Sequence, residues 1–242
     1  MRRGDLVCLQ DLTSRAELNG AHGLVVGPEE GGRWPVCVLG TASPIVGVNV
    51  KEVNMVREDD APGCVRVQAW NDLGVAYSKD RMYSKSLRAL FDAMVEAQRH
   101  GDGVVGVRQE TCRSLSNIAW LCLVMSRKRV DITDDGTFPV TGGVRGTMEW
   151  AMRAMFSTVI HDLPKESNLL FGAGRLPDDE EGMHLIMTVV EAEGTPPRYF
   201  VVDEDAFRVY EYTGRSDPTA AATPRTSSES ATRVPAEGPR RG

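Results

Sequence analysis

Trp34-Pro35-Val36-Cys37-Val38-Leu39 is the stretch whose reading decides how this chain begins. Its residues alternate in an extended segment, so Trp34, Val36 and Val38 fall on one face while Pro35 and Cys37 fall on the other. Pro35 has no ladder donor, which places it at a strand edge or start. Short apolar runs of the same kind flank it: Leu6-Val7-Cys8-Leu9, Gly23-Leu24-Val25-Val26, Ile45-Val46-Gly47-Val48 and Val53-Asn54-Met55-Val56. Between them stand Asn19-Gly20 and Glu29-Glu30-Gly31-Gly32, whose glycine and asparagine tolerate positive φ and turn the chain sharply. Residues 1–58 therefore read as one small closed β-barrel.

Arg15-Ala16-Glu17-Leu18-Asn19-Gly20, Gly23-Leu24-Val25, Gly32-Arg33-Trp34-Pro35-Val36 and Val50-Lys51-Glu52-Val53-Asn54-Met55 resemble the SH3-like barrels, especially the KOW-like and MYND-associated kind. The resemblance implies a binding scaffold without naming its partner, since such barrels serve many unrelated ones. A polyproline groove or a methyl-lysine cage needs several aromatic rings. This segment has only Trp34, which reads as a packing residue.

After the linker at residues 59–63 the apolar period changes from two to that of a helix. Val67, Trp70, Leu73, Gly74 and Tyr77 stripe one helix; Leu87, Leu90, Phe91, Met94 and Val95 stripe a second, antiparallel to it and joined by residues 78–83. Trp70-x-x-Leu73-Gly74-x-x-Tyr77, with Ser86, Leu90 and Ala93, resembles a tetratricopeptide repeat, in which Gly74 and Ser86 would let the helices approach closely. Ser86 and Leu90 depart from the usual alanine and aromatic, and Gln98 stands where proline often closes the unit. A weaker copy (Leu115, Ile118, Ala119, Cys122) starts too late for the ~34-residue period, so the resemblance implies repeat-like packing rather than an array.

A third helix is expected over 108–128, its end marked by Arg127-Lys128-Arg129, and a fourth over 146–161, stopped by Pro164. The helical region thus spans 64–162. Asp131-Ile132-Thr133-Asp134-Asp135-Gly136-Thr137 lacks the carboxylate that closes a calcium loop and reads as a turn. Residues 163–213 read as a loop and a three-stranded antiparallel meander packed on the helices. Its strands are expected at 184–191, 199–202 and 207–212. Within that loop Asp178-Asp179-Glu180-Glu181 reads as a solvated charge run. Residues 214–242, rich in Ser, Thr, Pro, Ala and Arg, are expected to be a disordered tail. The fold class that results is multi-domain α+β: a small SH3-like β-barrel, a repeat-like helical region and a short meander.

The chain carries a formal charge of −6, concentrated in residues 161–213, where 12 acidic residues face 4 basic ones. Residues 1–59 are slightly acidic, which argues against nucleic acid, since phosphate binding calls for a basic face. No apolar run approaches the ~18 residues that would span a bilayer, so no membrane partner is expected. The cysteines, 5 in number, show no Cys-x-x-Cys pair and no zinc spacing with histidine, and read as buried thiols.

Gly172-Ala173-Gly174 is no dinucleotide fingerprint, because Pro177 stands where its last glycine belongs. His22, His100, His161 and His184 share no short motif with a cysteine or carboxylate. No catalytic, cofactor-binding or metal-binding residue is assigned, no cofactor is expected, and no convergent polar cluster that could carry out bond-making is foreseen. The expected function is a non-enzymatic protein-interaction or scaffold protein, intracellular in the cytoplasm or nucleus, with protein partners. The alternatives are a nucleic-acid-associated protein using the barrel, and a small enzyme or ligand carrier with a pocket between the last helix and the C-terminal sheet.

Overall fold

The computed structural model describes residues 1–40, 45–101, 106–130, 142–176, 179–191, 194–203 and 208–214, without the side chains of residues 45, 46 and 179–181. The turn expected at 131–137 lies outside the described residues, as does the tail from residue 215 onward. What is described is a mixed α+β chain with two antiparallel sheets and five helices.

The first sheet contains β1 (Leu6–Leu9), β2 (His22–Val25), β3 (Trp34–Val38), β4 (Ile45–Val50) and β5 (Met55–Arg57), in the order β4-β3-β2-β1-β5. Its register sets Leu6 opposite Leu24 and Leu24 opposite Cys37, a row on one face, and Val7 opposite Gly23 and Gly23 opposite Val38, a row on the other. The second face encloses its own cluster of Val7, Leu9, Val25, Val36, Val38 and Met55, with Trp34 packed at its margin. The expected alternation of Trp34, Val36 and Val38 against Cys37 thus matches the two clusters.

The sheet does not close into a barrel among the described residues, because β4 and β5, the ends of the strand order, do not pair. β5 is three residues long, preceded by a 3-10 turn at Glu52–Asn54, and its Val56 stays 48% exposed. The chain then leaves for the first helix, which covers the Leu6–Leu24–Cys37 row.

The helices are α1 (Gly63–Lys79), α2 (Tyr83–His100), α3 (Val107–Arg127), α4 (Gly143–Met155) and α5 (Ser157–His161). α1 and α2 come together at Gly74, whose hypothetical Cβ would lie 2.7 Å from Leu90, and the Ser86 hydroxyl donates to the Gly74 carbonyl at 2.6 Å. α3 is keyed to α1 by fully buried Asn71. Its Nδ2 donates to the Glu110 carbonyl at 3.1 Å and carboxylate at 3.0 Å, and its Oδ1 accepts from Ser114 at 2.8 Å. Where the sequence reads as one helix over 146–161, the chain breaks at Phe156. That ring is fully buried, 6.3 Å from the Phe171 ring, and anchoring it decides the break.

The second sheet, ordered β6-β7-β8-β9, has β6 (Asn168–Leu176), β7 (Asp179–Val190), β8 (Arg198–Asp203) and β9 (Arg208–Tyr212). It is a four-stranded meander and not the expected three-stranded one. Gly172 and Gly174 mask β6 in the sequence, since glycine disfavours strands, and pairing with β7 supplies the order that local preference lacks. The backbone of residues 179–181, expected in an exposed loop, belongs to β7. Leu185, Met187, Val189, Phe200 and Val202 face α3 and α4, meeting Ile118, Cys122, Met125 and Met152 in the largest core cluster.

Gly23 is the tightest point of the first sheet, since a Cβ there would stand 2.4 Å from Val36 Cγ1. Gly23→Val is expected to destabilise the chain by about 1–3 kcal/mol through overpacking. The urea midpoint measures this, and an unchanged midpoint would show that the sheet yields at this position.

Candidate functional site

Two concavities carry the features from which a site is made. The first lies on the face of the second sheet turned away from the helices. Alternation on β6 sends Leu169, Phe171 and Ala173 toward the core and leaves Leu170, Gly172 and Gly174 on the outer face. There they join Ile186 and Thr188 of β7, Tyr199 of β8 and Tyr212 of β9 in a groove of about 420 Å³. Leu170 is 62% exposed and Tyr199 40%. Among the described residues, a Cβ added to Gly172 would meet nothing within 4 Å, so this glycine holds the groove open, whereas one at Gly174 would touch Ile186 Cδ1 at 3.4 Å.

At one end of this sheet Arg198 braces three strands from the helix-facing side, its guanidinium 5.1 Å from the Phe200 ring. Nε and Nη2 donate to the two Glu211 carboxylate oxygens at 2.8 and 3.0 Å, and Nη1 donates to Glu191 at 2.7 Å. That fork holds the Glu211 carboxyl below its usual range.

The second concavity, about 580 Å³, opens between the N-terminal segment, the β5–α1 junction and α2. Arg3 pairs with Asp92 and lies 4.8 Å over the Trp70 ring. Asp5, only 4% exposed, accepts the Arg2 backbone N–H at 2.8 Å and stands 3.7 Å from Arg57, which pairs with Asp59 at 2.6 Å. Arg66 donates to the carbonyls of Glu58 at 2.7 Å and Asp59 at 3.2 Å. Glu96 pairs with Arg99 at 2.9 Å and His100 at 3.2 Å.

Ionisable groups from three segments meet in this cleft. Each carboxylate in this cleft is held by a cation, and the cluster works as a brace between the first sheet and the helices. His100 pairs with Glu96 one helical turn earlier on α2, a four-residue spacing that the sequence reading passes over. The pairing of His22 with Glu58, at 3.0 Å, required the fold.

A third polar group lies on α1 and α3, where Arg113 donates to Asp72 at 3.0 Å. Burial raises the Asp72 carboxyl despite that partner. Burial, with the Asp72 charge adding to it, pushes the Cys37 thiol up to about 12, and burial alone does the same to Cys122. Both thiols are protonated at neutral pH and lack the thiolate that nucleophilic chemistry or metal ligation needs. Among the described residues no group of three or more His, Cys, Asp or Glu side chains is gathered to hold a metal ion, and no helix is long and apolar enough to cross a membrane. Gly172-Ala173-Gly174 lies within β6 as groove floor.

No family model, curated protein or solved structure matches this chain.

Asp72 has a folded pKa above the unfolded value, so its contribution to stability is largest in acid and declines as pH rises through the folded pKa. Asp72→Asn should therefore match or exceed the parent in melting temperature at pH 7. Arg113→Gln, which strands the half-buried carboxylate, should lose about 1 kcal/mol. Thermal melts between pH 4 and pH 8 check the sign; a destabilised Asp72→Asn at pH 7 contradicts it.

Proposed function

We propose that this chain is a non-enzymatic protein-interaction protein that docks an extended apolar segment of a partner protein in the outer groove of its second sheet. The observation that carries this reading is the groove itself. Leu170, Ile186, Tyr199 and Tyr212 line a concave face of a sheet whose opposite face is already committed to the core. Contiguous apolar surface of this kind marks interaction sites on folded proteins. Glycine at positions 172 and 174 leaves room for incoming side chains, and Arg175 brings the one charged side chain to the lining.

The finer reading of the scaffold belongs to the same proposal. An SH3-like character for the first sheet is supported by the order β4-β3-β2-β1-β5 and by the 3-10 turn ahead of β5. A repeat-like character for α1 and α2 is supported by the approach at Gly74 and Ser86. An intracellular setting, in the cytoplasm or nucleus, is supported by five cysteines that form no disulfide with one another. A small enzyme or ligand carrier with a pocket between the last helix and the C-terminal sheet is the alternative reading; Met152, Phe156, Leu185, Met187 and Val189 pack between α4 and that sheet, each at most 1% exposed.

The test is selection of displayed peptides, about ten residues long, against the full chain. Peptides with alternating apolar residues should be enriched, and Tyr199→Glu should weaken their binding at least tenfold while leaving the melting temperature unchanged. Enrichment of no peptide, or binding indifferent to Tyr199→Glu, rejects the groove as the docking surface.

A further inference from the structure

The two edges of the second sheet are treated very differently. β9 is five residues long and charged, with Arg208 paired to Asp203 at 3.2 Å and Glu211 held by Arg198. Such short, charged edges are how folded proteins discourage strand addition. β6, at the other edge, is nine residues long, contains no proline and carries one charge, Arg175, near its end. Among the described residues its only strand partner is β7. Its side chains also leave Leu170 as the most exposed large apolar residue of the sheet.

The sequence of this edge is complementary to itself in one register. Asn-Leu-Leu-Phe-Gly-Ala-Gly-Arg-Leu has Gly172 at its centre, and only an antiparallel pairing centred there overlaps all nine residues. In that register Leu170 of one copy lies opposite Gly174 of the other on the outer face. Phe171 lies opposite Ala173 on the face toward the helices. Each large side chain meets a small one, and Gly172, with no atom within 4 Å of its hypothetical Cβ, sits on the axis. Arg175 falls opposite Leu169, so the like charges of the two copies stay apart.

We propose that the chain self-associates through β6, pairing with β6 of a second copy about a twofold axis at Gly172. The second sheets of the two copies become one eight-stranded sheet, and the unprotected edge of each is satisfied by the other. The interface is isologous and therefore closes at the dimer. It does not depend on what occupies the groove, because pairing uses the backbone edge while the groove lies on the face. A dimer would bring two grooves side by side and make any partner contact bivalent.

Light scattering on the full chain, from about 1 μM to about 1 mM, should show a mass rising from 26.5 kDa toward twice that value. Leu170→Lys adds a charge to the edge at an exposed position, and should weaken association at least tenfold with an unchanged melting temperature. Tyr199→Glu, which alters the groove, should leave the dimer intact.

Gly172→Cys under mild oxidant should give a covalent dimer, since cross-strand Cα atoms ~4.5–5.5 Å apart suit a disulfide. The unsubstituted chain and Gly174→Cys should not, position 174 being four residues from its mate in this register. A chain monomeric at every concentration overturns the proposal. So does a dimer indifferent to Leu170→Lys, or cross-linking through position 174 in preference to 172.

Discussion

The row Leu6–Leu24–Cys37, pressed against Trp70 and Leu73 of α1, is the interaction on which the arrangement depends. A five-stranded sheet of this size has a core of its own on one face and a second apolar row on the other. Leaving that row in water would forfeit about 1.5–3 kcal/mol for each large aliphatic side chain. α1 covers it, which ties the N-terminal sheet to the helices through a continuous apolar seam. The rest is arranged around this seam. α2 approaches α1 at Gly74, α3 is keyed by Asn71, and α3 with α4 covers the second sheet.

Charge is distributed as the seam demands. Arg3 and Arg66 reach across the junction between sheet and helix, to Asp92 of α2 and to the Glu58 carbonyl, while Arg57 ties the end of β5 to Asp59 and Asp5. Half-exposed ion pairs contribute little net energy each, so their role is chiefly to set how sheet and helices meet, while the apolar row supplies the attraction. The carboxylates of this cleft are ion-paired, and elsewhere in the fold the buried thiols at Cys37 and Cys122 are kept protonated by desolvation.

The second sheet departs from this pattern in leaving both an apolar face and a long edge without cover among the described residues. Its core side is filled by Met187, Val189 and Phe200, yet Leu170 and Tyr199 stand exposed on the other side. A strand buried on one face normally carries polar residues on the other. The exception here supports a surface whose cover comes from another molecule, and the charged, braced β9 edge shows that the same sheet is protected where strand addition is resisted.

The strands of the first sheet were legible from alternation and turn residues, because period two and positive φ are properties of a few neighbouring residues. The bounds of α1, α2 and α3 were legible to within a few residues for the same reason. Closure of a barrel was not decided locally: it required β4 and β5 to meet, and among the described residues they do not pair. β6 was hidden because Gly172 and Gly174 lack strand preference, and only pairing with β7 orders them. The break at Phe156 came from a ring anchored against Phe171, well beyond the three- to four-residue reach of a helical repeat. The sequence by itself determined the strands of the first sheet, α1 to α3 and the positions of β8 and β9, since periodicity is written in near neighbours. Tertiary structure alone decided where β6 forms, where the fourth helix breaks, which charges pair, and which apolar face and edge stay uncovered among the described residues, since each depends on segments brought together from distant parts of the chain.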